Sequence, residues 1–348
     1  MRTFFTGAFL LLGLLLSGQT LGELKLSVLD YGNKKFAAAD QRVFIAGFNV
    51  HYQTHFSLQN TQRAKNNGRR AVASSKVVSN IALGGLTADD LRGVTDAAYQ
   101  NFRDQLTAAG YSFIELEQAA GIQALEGWER VAGGSISQAQ VYGYATVTPT
   151  ELDVLVPRIT NQGKRTKKFI DPSGAISKQL DDAIVAFVDI YVPFAEDGES
   201  GWSRSLGRMT DESKVVIRTN LRLGVPTVAE KGNFAESIGM GVNAGTLPRG
   251  IRFASGKVGL GITASYAATL KKDLLIEGVM ANEKIKSYAQ GESHTATSFG
   301  VGVYFLDSQA VEETRSVAYD KAAYLQGVQM AATAYITEVV HEFAEKAK

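Results

Sequence analysis

The stretch from Arg42 to Leu58, RVFIAGFNVHYQTHFSL, limits what this chain can fold into more than any other part of the sequence. Its even positions are almost all apolar, and its odd positions from Gly47 onward are small or polar. Because strand side chains alternate between two faces, this pattern predicts a long strand with one apolar and one polar face. It runs for about three times the length of an average strand, so we expect its second half to project from the core.

Composition narrows the class of protein. The 348 residues are 45% hydrophobic and 20% charged, which is the balance of a globular chain with a large core. The formal net charge of +1 gives no reason to expect a polyanion as a partner. Cysteine is absent, which excludes disulfides, thiolate metal ligands and a cysteine nucleophile.

The N-terminal residues have the layout of a secretory signal peptide. One basic residue precedes an apolar run from Phe4 to Leu16, and small or polar residues follow, with cleavage expected after Gly18 or Gly22. The apolar run is shorter than the roughly 20 residues that a membrane-spanning helix needs. We therefore expect export, with residues 1–22 removed and residues 23–348 forming a single elaborated domain.

The remaining periodicities predict an α+β fold, with a mixed sheet, flanking helices, long amphipathic β-hairpins and a long C-terminal helix. Residues 71–83 form the expected return strand of a first hairpin that covers about 48–83. A second hairpin is expected within about 237–270, where residues 237–246 and 256–270 both alternate. Strands of roughly 9–11 alternating residues are what a membrane-spanning hairpin requires. The tip of the first hairpin is basic and carries Arg63, Lys65, Arg69 and Arg70.

Helix signals and one buried strand flank these hairpins. Thr87 and Asp90 predict a capping box for a helix that Gly110 ends. The run 183–192, AIVAFVDIYV, is apolar on both faces, which predicts a central strand. A terminal helix of about 35 residues is expected from Ala310 onward.

No motif for catalysis or cofactor binding is found. His51 and His55 are four residues apart, which on a strand separates them by about 13 Å, too far to share a metal ion. The glycine-rich runs lack the spacing of nucleotide-binding loops, and no Gly-x-Ser-x-Gly elbow is present. We therefore expect no catalytic residue, no metal site and no cofactor, in a chain that is not an enzyme.

Two basic clusters leave two interpretations open. The first is the hairpin tip, and the second comprises Lys164, Arg165, Lys167 and Lys168. Their charge is either solvated in loops or in contact with anionic head groups, lipopolysaccharide or an acidic partner. Aromatic residues are not interleaved with the basic ones, so we expect no nucleic acid partner.

The order of elements resembles that of a known family of secretion channels. A strand (VFIAGFNV), a helix (DLRGVTDAAYQNFRDQLTAAG), a strand (YSFIELE), a hairpin-rich region and a long terminal helix follow one another. This order is similar to that of the curli secretion channel (CsgG-like) family and of proteins with a TolB-type N-terminal domain. The resemblance implies a ring-forming oligomer whose protomers donate hairpins to a shared outer-membrane β-barrel.

We therefore expect an exported, ring-forming outer-membrane pore or secretion-channel subunit of a Gram-negative bacterium, a homo-oligomer in contact with lipid and with an unknown cargo or accessory protein. The candidate pore-lining residues are Asn49, His51, Gln53, His55 and Ser57. The candidate lipid- or protomer-facing residues are Phe48, Val50, Tyr52, Phe56, Leu58, Val258, Leu260, Ile262 and Tyr266. The alternative is a soluble periplasmic or surface structural protein that assembles without entering the membrane.

Overall fold

The structure is a computed structural model, and it describes residues 19–38, 41–62, 65–66, 71–72, 75–168, 170–199, 214–225, 250–259, 261–288 and 314–348. The strands are β1 (Thr20–Leu21), β2 (Leu26–Tyr31), β3 (Arg42–Gln53), β4 (His55–Gln62), β5 (Lys65–Asn66), β6 (Ala71–Val72), β7 (Ser75–Ala82), β8 (Ser112–Phe113), β9 (Glu129–Val131), β10 (Ile136–Ser137), β11 (Tyr144–Val147), β12 (Val154–Val156), β13 (Ile184–Val192), β14 (Ala195–Asp197), β15 (Lys214–Thr219), β16 (Arg222–Leu223), β17 (Gly250–Val258), β18 (Gly261–Leu270), β19 (Leu274–Glu277), β20 (Lys284–Tyr288) and β21 (Thr314–Ser316). The helices are α1 (Asn33–Ala38), α2 (Ala88–Ala108), α3 (Leu116–Ala119), α4 (Ser173–Gln179) and α5 (Lys321–Lys346), with a 3₁₀ turn at Gln123–Leu125.

An eight-stranded mixed sheet, the main sheet, organises the fold, which is α+β as the sequence predicts. Its strand order is β10-β11-β3-β13-β17-β18-β2, and β8 also pairs with the first residues of β3. β3 and β13 run parallel, whereas β17 and β18 add to β13 as antiparallel strands. Helices α2 and α5 pack together and cover one face, and α4 covers part of the other. The described residues also form three three-stranded sheets, β4-β7-β21, β14-β15-β20 and β1-β19-β16, and two two-stranded sheets, β9-β12 and β5-β6.

The predicted central strand is confirmed as β13, which lies between β3 and β17. Its even-numbered side chains, such as Ile184 and Val188, pack in the large core under α2 and α5. Val185 points to the opposite face and packs with Ile176 of α4. A strand with helices on both faces has no solvent side, which explains its continuous apolar sequence.

A β-bulge at Ala46 shifts the alternation of β3. The register changes between Ala186 and Phe187 of β13, which leaves Ala46 without a partner on that strand. A bulge adds one residue, so the residues before and after it exchange faces. Phe44 therefore packs with the α4 side, while Phe48 packs against α2. The sequence pattern places these two side chains on one face, and the structure separates them because of the extra residue.

The first expected hairpin is present as β4 and β7, which pair antiparallel over their whole length. Residues 48–53, expected in its inner part, belong to β3 and pair with β13 and β11. The long alternating stretch breaks at Thr54, because the Thr54 and His55 N–H groups both donate to the carbonyl of Gly143, at 2.9 and 3.1 Å. The apolar side of the hairpin packs on the β14-β15-β20 sheet.

The second hairpin lies further along the chain than the sequence indicates. β18 pairs with β17 on one side and with β2 on the other, and β17 begins at Gly250, between the two alternating runs of the expected hairpin. Gly250 starts β17 with a φ of +87°, and a Cβ there would lie 2.1 Å from the carbonyl oxygen of Ala268, so only glycine fits. The alternating run 237–246 lies outside the described residues.

Both long helices follow their sequence signals at the start or end. α2 has the expected capping box, in which Thr87 Oγ1 accepts from the Asp90 N–H at 3.2 Å and the Asp90 carboxylate accepts from the Thr87 N–H at 2.7 Å. Gly110 follows its C-cap with a φ of +95°. α5 begins after its N-cap Asp320, later than predicted, because Thr314–Ser316 forms β21.

One face of α5 covers the main core. Its buried side chains at the predicted spacing are Tyr324, Val328, Ala331, Tyr335, Val339 and Phe343. The ring of Phe343 stacks on Phe253 of β17 with centroids 3.9 Å apart. The Tyr335 hydroxyl donates to the carbonyl of Ala268 at 2.8 Å. These contacts fix the helix over β17 and β18.

Residues 19–22 belong to the folded body, although the sequence places them in the segment expected to be removed. Gln19 is 3% exposed, and its Nε2 donates to the carbonyl of Ala323 at 2.7 Å. β1 pairs with β19, and the Gly22 N–H donates to the carbonyl of Leu275 at 3.0 Å. These bonds favour Gly18 over Gly22 as the last residue of a removed segment.

We predict that a chain beginning at Glu23 is less stable than a chain beginning at Gln19, by about 2 kcal/mol. The shorter chain loses the bonds of β1 and the buried side chain of Gln19, each contributing about 1 kcal/mol or less. Urea unfolding followed by circular dichroism measures the difference. Equal free energies of unfolding for the two chains would show that residues 19–22 add nothing to the fold.

Candidate functional site

A polar cluster lies on the face of the main sheet opposite α2 and α5. We call it the β3 cluster; it consists of Asn49, His51, Thr146, Arg165 and Asp189. His51 Nδ1 lies 2.8 Å from Thr146 Oγ1, and His51 Nε2 lies 3.1 Å from Asp189 Oδ1. Asn49 Nδ2 donates to Asp189 Oδ1 at 3.2 Å, and Arg165 donates to Asn49 Oδ1 at 3.2 Å. Five polar side chains thus share one hydrogen-bonded network.

Cross-strand pairing builds this network. His51 of β3 is directly opposite Thr146 of β11 in an antiparallel pair, and Asn49 is opposite Asp189 of β13 in the parallel pair. Directly opposite residues project from the same face, so the bulge at Ala46 decides which side chains meet here. Without the bulge, Asn49 and His51 would share a face with Val43 and Ile45. With the bulge, they share a face with Phe44.

Burial controls the charge of His51. Removal from water lowers its pKa, and the hydrogen bond with Asp189 acts in the opposite direction. The neutral ring carries one N–H, and a carboxylate only accepts, so Nε2–H donates to Asp189 while Nδ1 accepts from the Thr146 hydroxyl. Tyr191 stacks on the ring with centroids 4.2 Å apart. The imidazole is therefore held in one tautomer and one orientation.

The β3 cluster has the residue types of an activated nucleophile, but the described residues leave no approach for a substrate to the Thr146 hydroxyl. An acid, a histidine and a hydroxyl in contact can activate the hydroxyl oxygen. Thr146, however, is 1% exposed, and the cavity that borders Asp189 measures about 20 Å³, which is room for one water molecule. Arg165 also donates to Ser135 Oγ at 2.7 Å. The contacts fasten the segment 135–168 to the sheet.

The other expected pore-lining residues have separate surroundings. Gln53 is buried, and its Oε1 accepts from the Phe194 and Ala195 N–H groups, both at 2.9 Å. His55 meets Tyr142 edge to face, and burial lowers the pKa of His55 to about 4. Ser57 is partly exposed on β4. The structure joins Asn49 and His51 in one network and gives the other three separate partners; the place of all five in a pore lumen stays a prediction.

The expected lipid- or protomer-facing side chains are mostly covered by the chain itself. The buried ones are Phe48, Val50, Tyr52, Phe56, Leu58 and Tyr266. This placement differs from the expectation because α2 and α5 cover the main sheet and β14-β15-β20 covers β4. Val258 is 61% exposed and Ile262 is partly exposed, while Leu260 lies outside the described residues.

Some of the candidate basic residues lie outside the described residues, and one of the others belongs to the β3 cluster. Arg63, Arg69 and Arg70 lie outside the described residues, and the structure gives only the backbone of Lys65, in β5. Arg165 of the second basic cluster belongs to the β3 cluster, which neither of the two interpretations anticipates. Asp189 is absent from the sequence candidates, although a single carboxylate inside the apolar run 183–192 is the signal that could have revealed it.

A second candidate surface is the free edge of β2. β2 ends the main sheet, and within the described ranges no strand pairs with its outer side. The Lys271 N–H donates to the Lys25 carbonyl at 2.8 Å. Bonded residues alternate along an antiparallel pair, so the backbone groups of Leu26, Val28 and Asp30 point away from the sheet. The edge therefore presents a row of hydrogen-bonding groups to solvent.

Two large apolar side chains accompany this edge. Leu29 is 78% exposed and Tyr31 is 52% exposed, and both project from the face opposite the one that packs on the core. Asp30, the acidic residue of the strand, is paired with Lys346 of α5 at 2.7 Å. Natural sheets usually shield such edges with unpaired charges, bulges or proline. β2 has none of these along its length, which is typical of an edge that binds another strand.

The described residues form neither a metal site nor a membrane-spanning helix. In the part of the chain that the structure describes, no three histidine, aspartate or glutamate side chains are placed to hold a metal ion. No described helix combines the length and the hydropathy that crossing a membrane requires. Comparison with protein-family models, with curated proteins and with solved structures returns no significant match for this chain.

We predict that acid destabilises the fold through His55. The pKa of His55 falls from an ordinary 6.5 to about 4 in the folded chain, so the unfolded chain binds this proton first as the pH falls. The free energy of unfolding that depends on neutral His55 is fully present above about pH 6.5 and is lost towards about pH 4. It amounts to at most about 3 kcal/mol. In urea unfolding at about pH 7 and about pH 4.5, His55→Gln should lose less stability than the native sequence.

His341→Gln is the matched control for this experiment. His341 lies on the exposed side of α5, where 68% of its side chain is accessible, so the variant should keep the native pH dependence. The same loss of stability in His55→Gln as in the native sequence would refute the assignment to His55.

Proposed function

We propose that this chain is an exported assembly subunit, which joins further copies of itself through the free edge of β2. The observation that carries the proposal is the outer side of β2, which pairs with no strand that the structure describes, together with the exposed Leu29 and Tyr31. Export rests on the signal-peptide pattern of residues 1–22. Within the described residues, burial of Thr146 in the β3 cluster favours a structural role for that cluster over a catalytic one.

Two copies of β2 can pair about a twofold axis at Val28. In this antiparallel register Val28 lies opposite Val28 of the second copy, and Leu26 lies opposite Asp30, which uses all three outward-pointing residues of the strand. The register centred on Leu29 is poorer, because it places Leu26 opposite Gly32, where a φ of +69° ends the strand. The first register therefore forms more hydrogen bonds.

The apolar side chains also favour the register centred on Val28. Ser27 then lies opposite Leu29 of the second copy in a non-hydrogen-bonded pair, where side chains approach most closely. Leu29 becomes covered on both sides of the axis, and Tyr31 lies over the aliphatic part of Lys25. The joint buries the apolar surface that the single chain leaves exposed.

We predict that a mixture of Ser27→Cys and Leu29→Cys chains forms disulfide-linked dimers. The chain lacks cysteine, so each variant carries one thiol. Non-bonded opposite residues have Cα atoms about 4.5 Å apart, within the range that a disulfide accepts. Non-reducing electrophoresis after mild oxidation detects the linked species, and sedimentation velocity of the native chain should show dimers or larger assemblies.

Two controls separate this joint from chance contact. Leu275→Cys, at an exposed leucine of β19, should not link to Ser27→Cys. Val28→Pro removes an outward N–H that the β2–β18 ladder does not use, so it should dissociate the assembly while the chain stays folded. A native chain that sediments as a monomer, or equal linking by Leu275→Cys, would overturn the proposal.

A pore subunit is the second candidate, favoured by one sequence observation. Residues 237–246 and 299–305 alternate apolar side chains with residues that are mostly glycine, the exceptions including Asn243 and Tyr304, and both runs lie outside the described residues. Lipid-facing strands of outer-membrane proteins show this alternation over about 9–11 residues. In this candidate the β2 joint and the alternating runs serve different surfaces of the same assembly.

We predict for this candidate that Val242→Arg abolishes stepwise conductance in planar bilayers. A charge on the lipid side of such a strand costs about 2–4 kcal/mol at the bilayer midplane. Leu275→Arg, at an exposed position of β19, is the matched control and should leave conductance intact. A native assembly that needs no detergent and shows no conductance would exclude the pore and leave the assembly proposal standing.

A further inference from the structure

Residues 154–170 carry five basic side chains and no acidic one. The cations are Arg158, Lys164, Arg165, Lys167 and Lys168, and we call residues 158–168 the basic loop. Arg158, Lys167 and Lys168 are exposed, and none of these three forms an ion pair with a carboxylate that the structure describes. The outer side of the basic loop is therefore a compact positive surface.

Hydrogen bonds hold the basic loop in one shape. The Thr166 N–H donates to the Arg158 carbonyl at 2.8 Å, so the two arms of the loop lie side by side. Gln140 Oε1 accepts from the Arg165 N–H at 3.0 Å, and Gln140 Nε2 donates to the Gly163 carbonyl at 2.9 Å. Like charges held next to each other repel, so this shape favours an external anion.

The acidic residues that flank this stretch already have partners. Asp153 is paired with Arg130, and Asp171 is paired with Arg252 of β17. Asp171 also accepts from the Ser173 N–H at 3.0 Å. Neither carboxylate is left to neutralise the outer cations of the basic loop.

An exposed apolar side chain follows the basic loop. Ile170 lies two positions after Lys168 and is 48% exposed, although isoleucine is among the residue types most often buried in folded proteins. Segments that lie on membrane surfaces combine basic residues, which anionic head groups attract, with apolar side chains that enter the boundary of the acyl chains. An acidic protein would use the charges but would have no need of the isoleucine.

We infer that the basic loop docks on a membrane surface that contains anionic lipid, with Lys167 and Lys168 at the head groups and Ile170 at the boundary of the acyl chains. Such attachment is reversible, since it combines a few charges with one apolar side chain. Arg165 connects the loop to Asn49 of β3, near one end of the main sheet, whereas β2 forms the other end. The inference therefore does not depend on the proposed assembly.

The test is co-sedimentation of the chain that begins at Gln19 with vesicles, because the apolar leader would enter lipid by itself. The chain should bind vesicles of equal parts phosphatidylcholine and phosphatidylglycerol, but not vesicles of phosphatidylcholine alone. Lys167→Gln combined with Lys168→Gln should weaken this binding about 25-fold, or about fivefold for each charge. Lys284→Gln combined with Lys286→Gln, at two exposed lysines of β20, removes the same charge elsewhere and should weaken it about twofold or less.

A dye at position 170 distinguishes lipid from an acidic protein. The chain lacks cysteine, so Ile170→Cys provides a single thiol for acrylodan. The emission should shift to shorter wavelength with the anionic vesicles and stay unchanged with polyglutamate, which has the charge but no apolar phase. Leu275→Cys, at an exposed leucine of β19, is the matched control and should shift with neither.

Three results would each overturn the inference. They are failure of the anionic vesicles to bind more chain than the neutral ones, equal effects of the two double lysine variants, and a bound chain whose dye at position 170 does not shift. The last of these would indicate an acidic protein as the partner of the basic loop.

Discussion

The parallel pairing of β3 with β13 is the constraint on which the rest of the structure depends. These two strands lie in the middle of the main sheet, and the bulge at Ala46 fixes which of their side chains face α2 and α5. A shift of one residue in a strand moves every side chain to the other face. Phe48 would then leave the core and His51 would enter it, so the bulge protects both the apolar packing and the polar network.

In the described part of the chain, the same pairing leaves little of the two faces of the main sheet for binding. With helices over one face and α4 and the segment 135–168 over the other, the central strands have little surface for a partner. Among the described strands, the outer side of β2 is an exposed edge of this sheet with no strand partner. Strand addition uses such groups, so the proposed joint extends the main-chain hydrogen bonding that already holds the sheet together.

Local signals in the sequence predicted much of the fold, since they act over a few neighbouring residues. The capping box at Thr87 and the apolar run of β13 needed no knowledge of distant contacts. The bulge at Ala46 and the strand β17, which begins at Gly250, depend on partners far along the chain. An alternating pattern tells which side of a strand is apolar, but lipid, a protomer or the chain's own helices would all satisfy it. The covering of Phe56 could not be predicted for this reason.

The polar side of β3 carries more information than the apolar side. A buried polar group must find a hydrogen-bond partner, and a buried carboxylate such as Asp189 is costly without several. Asn49 and His51 meet this requirement with the carboxylate of Asp189. Asp189 can lie within the apolar run 183–192 because Asn49 and His51 of β3 form hydrogen bonds with its carboxylate. In the same way, Asn49 and His51 can lie under other residues because Asp189 accepts their hydrogen bonds.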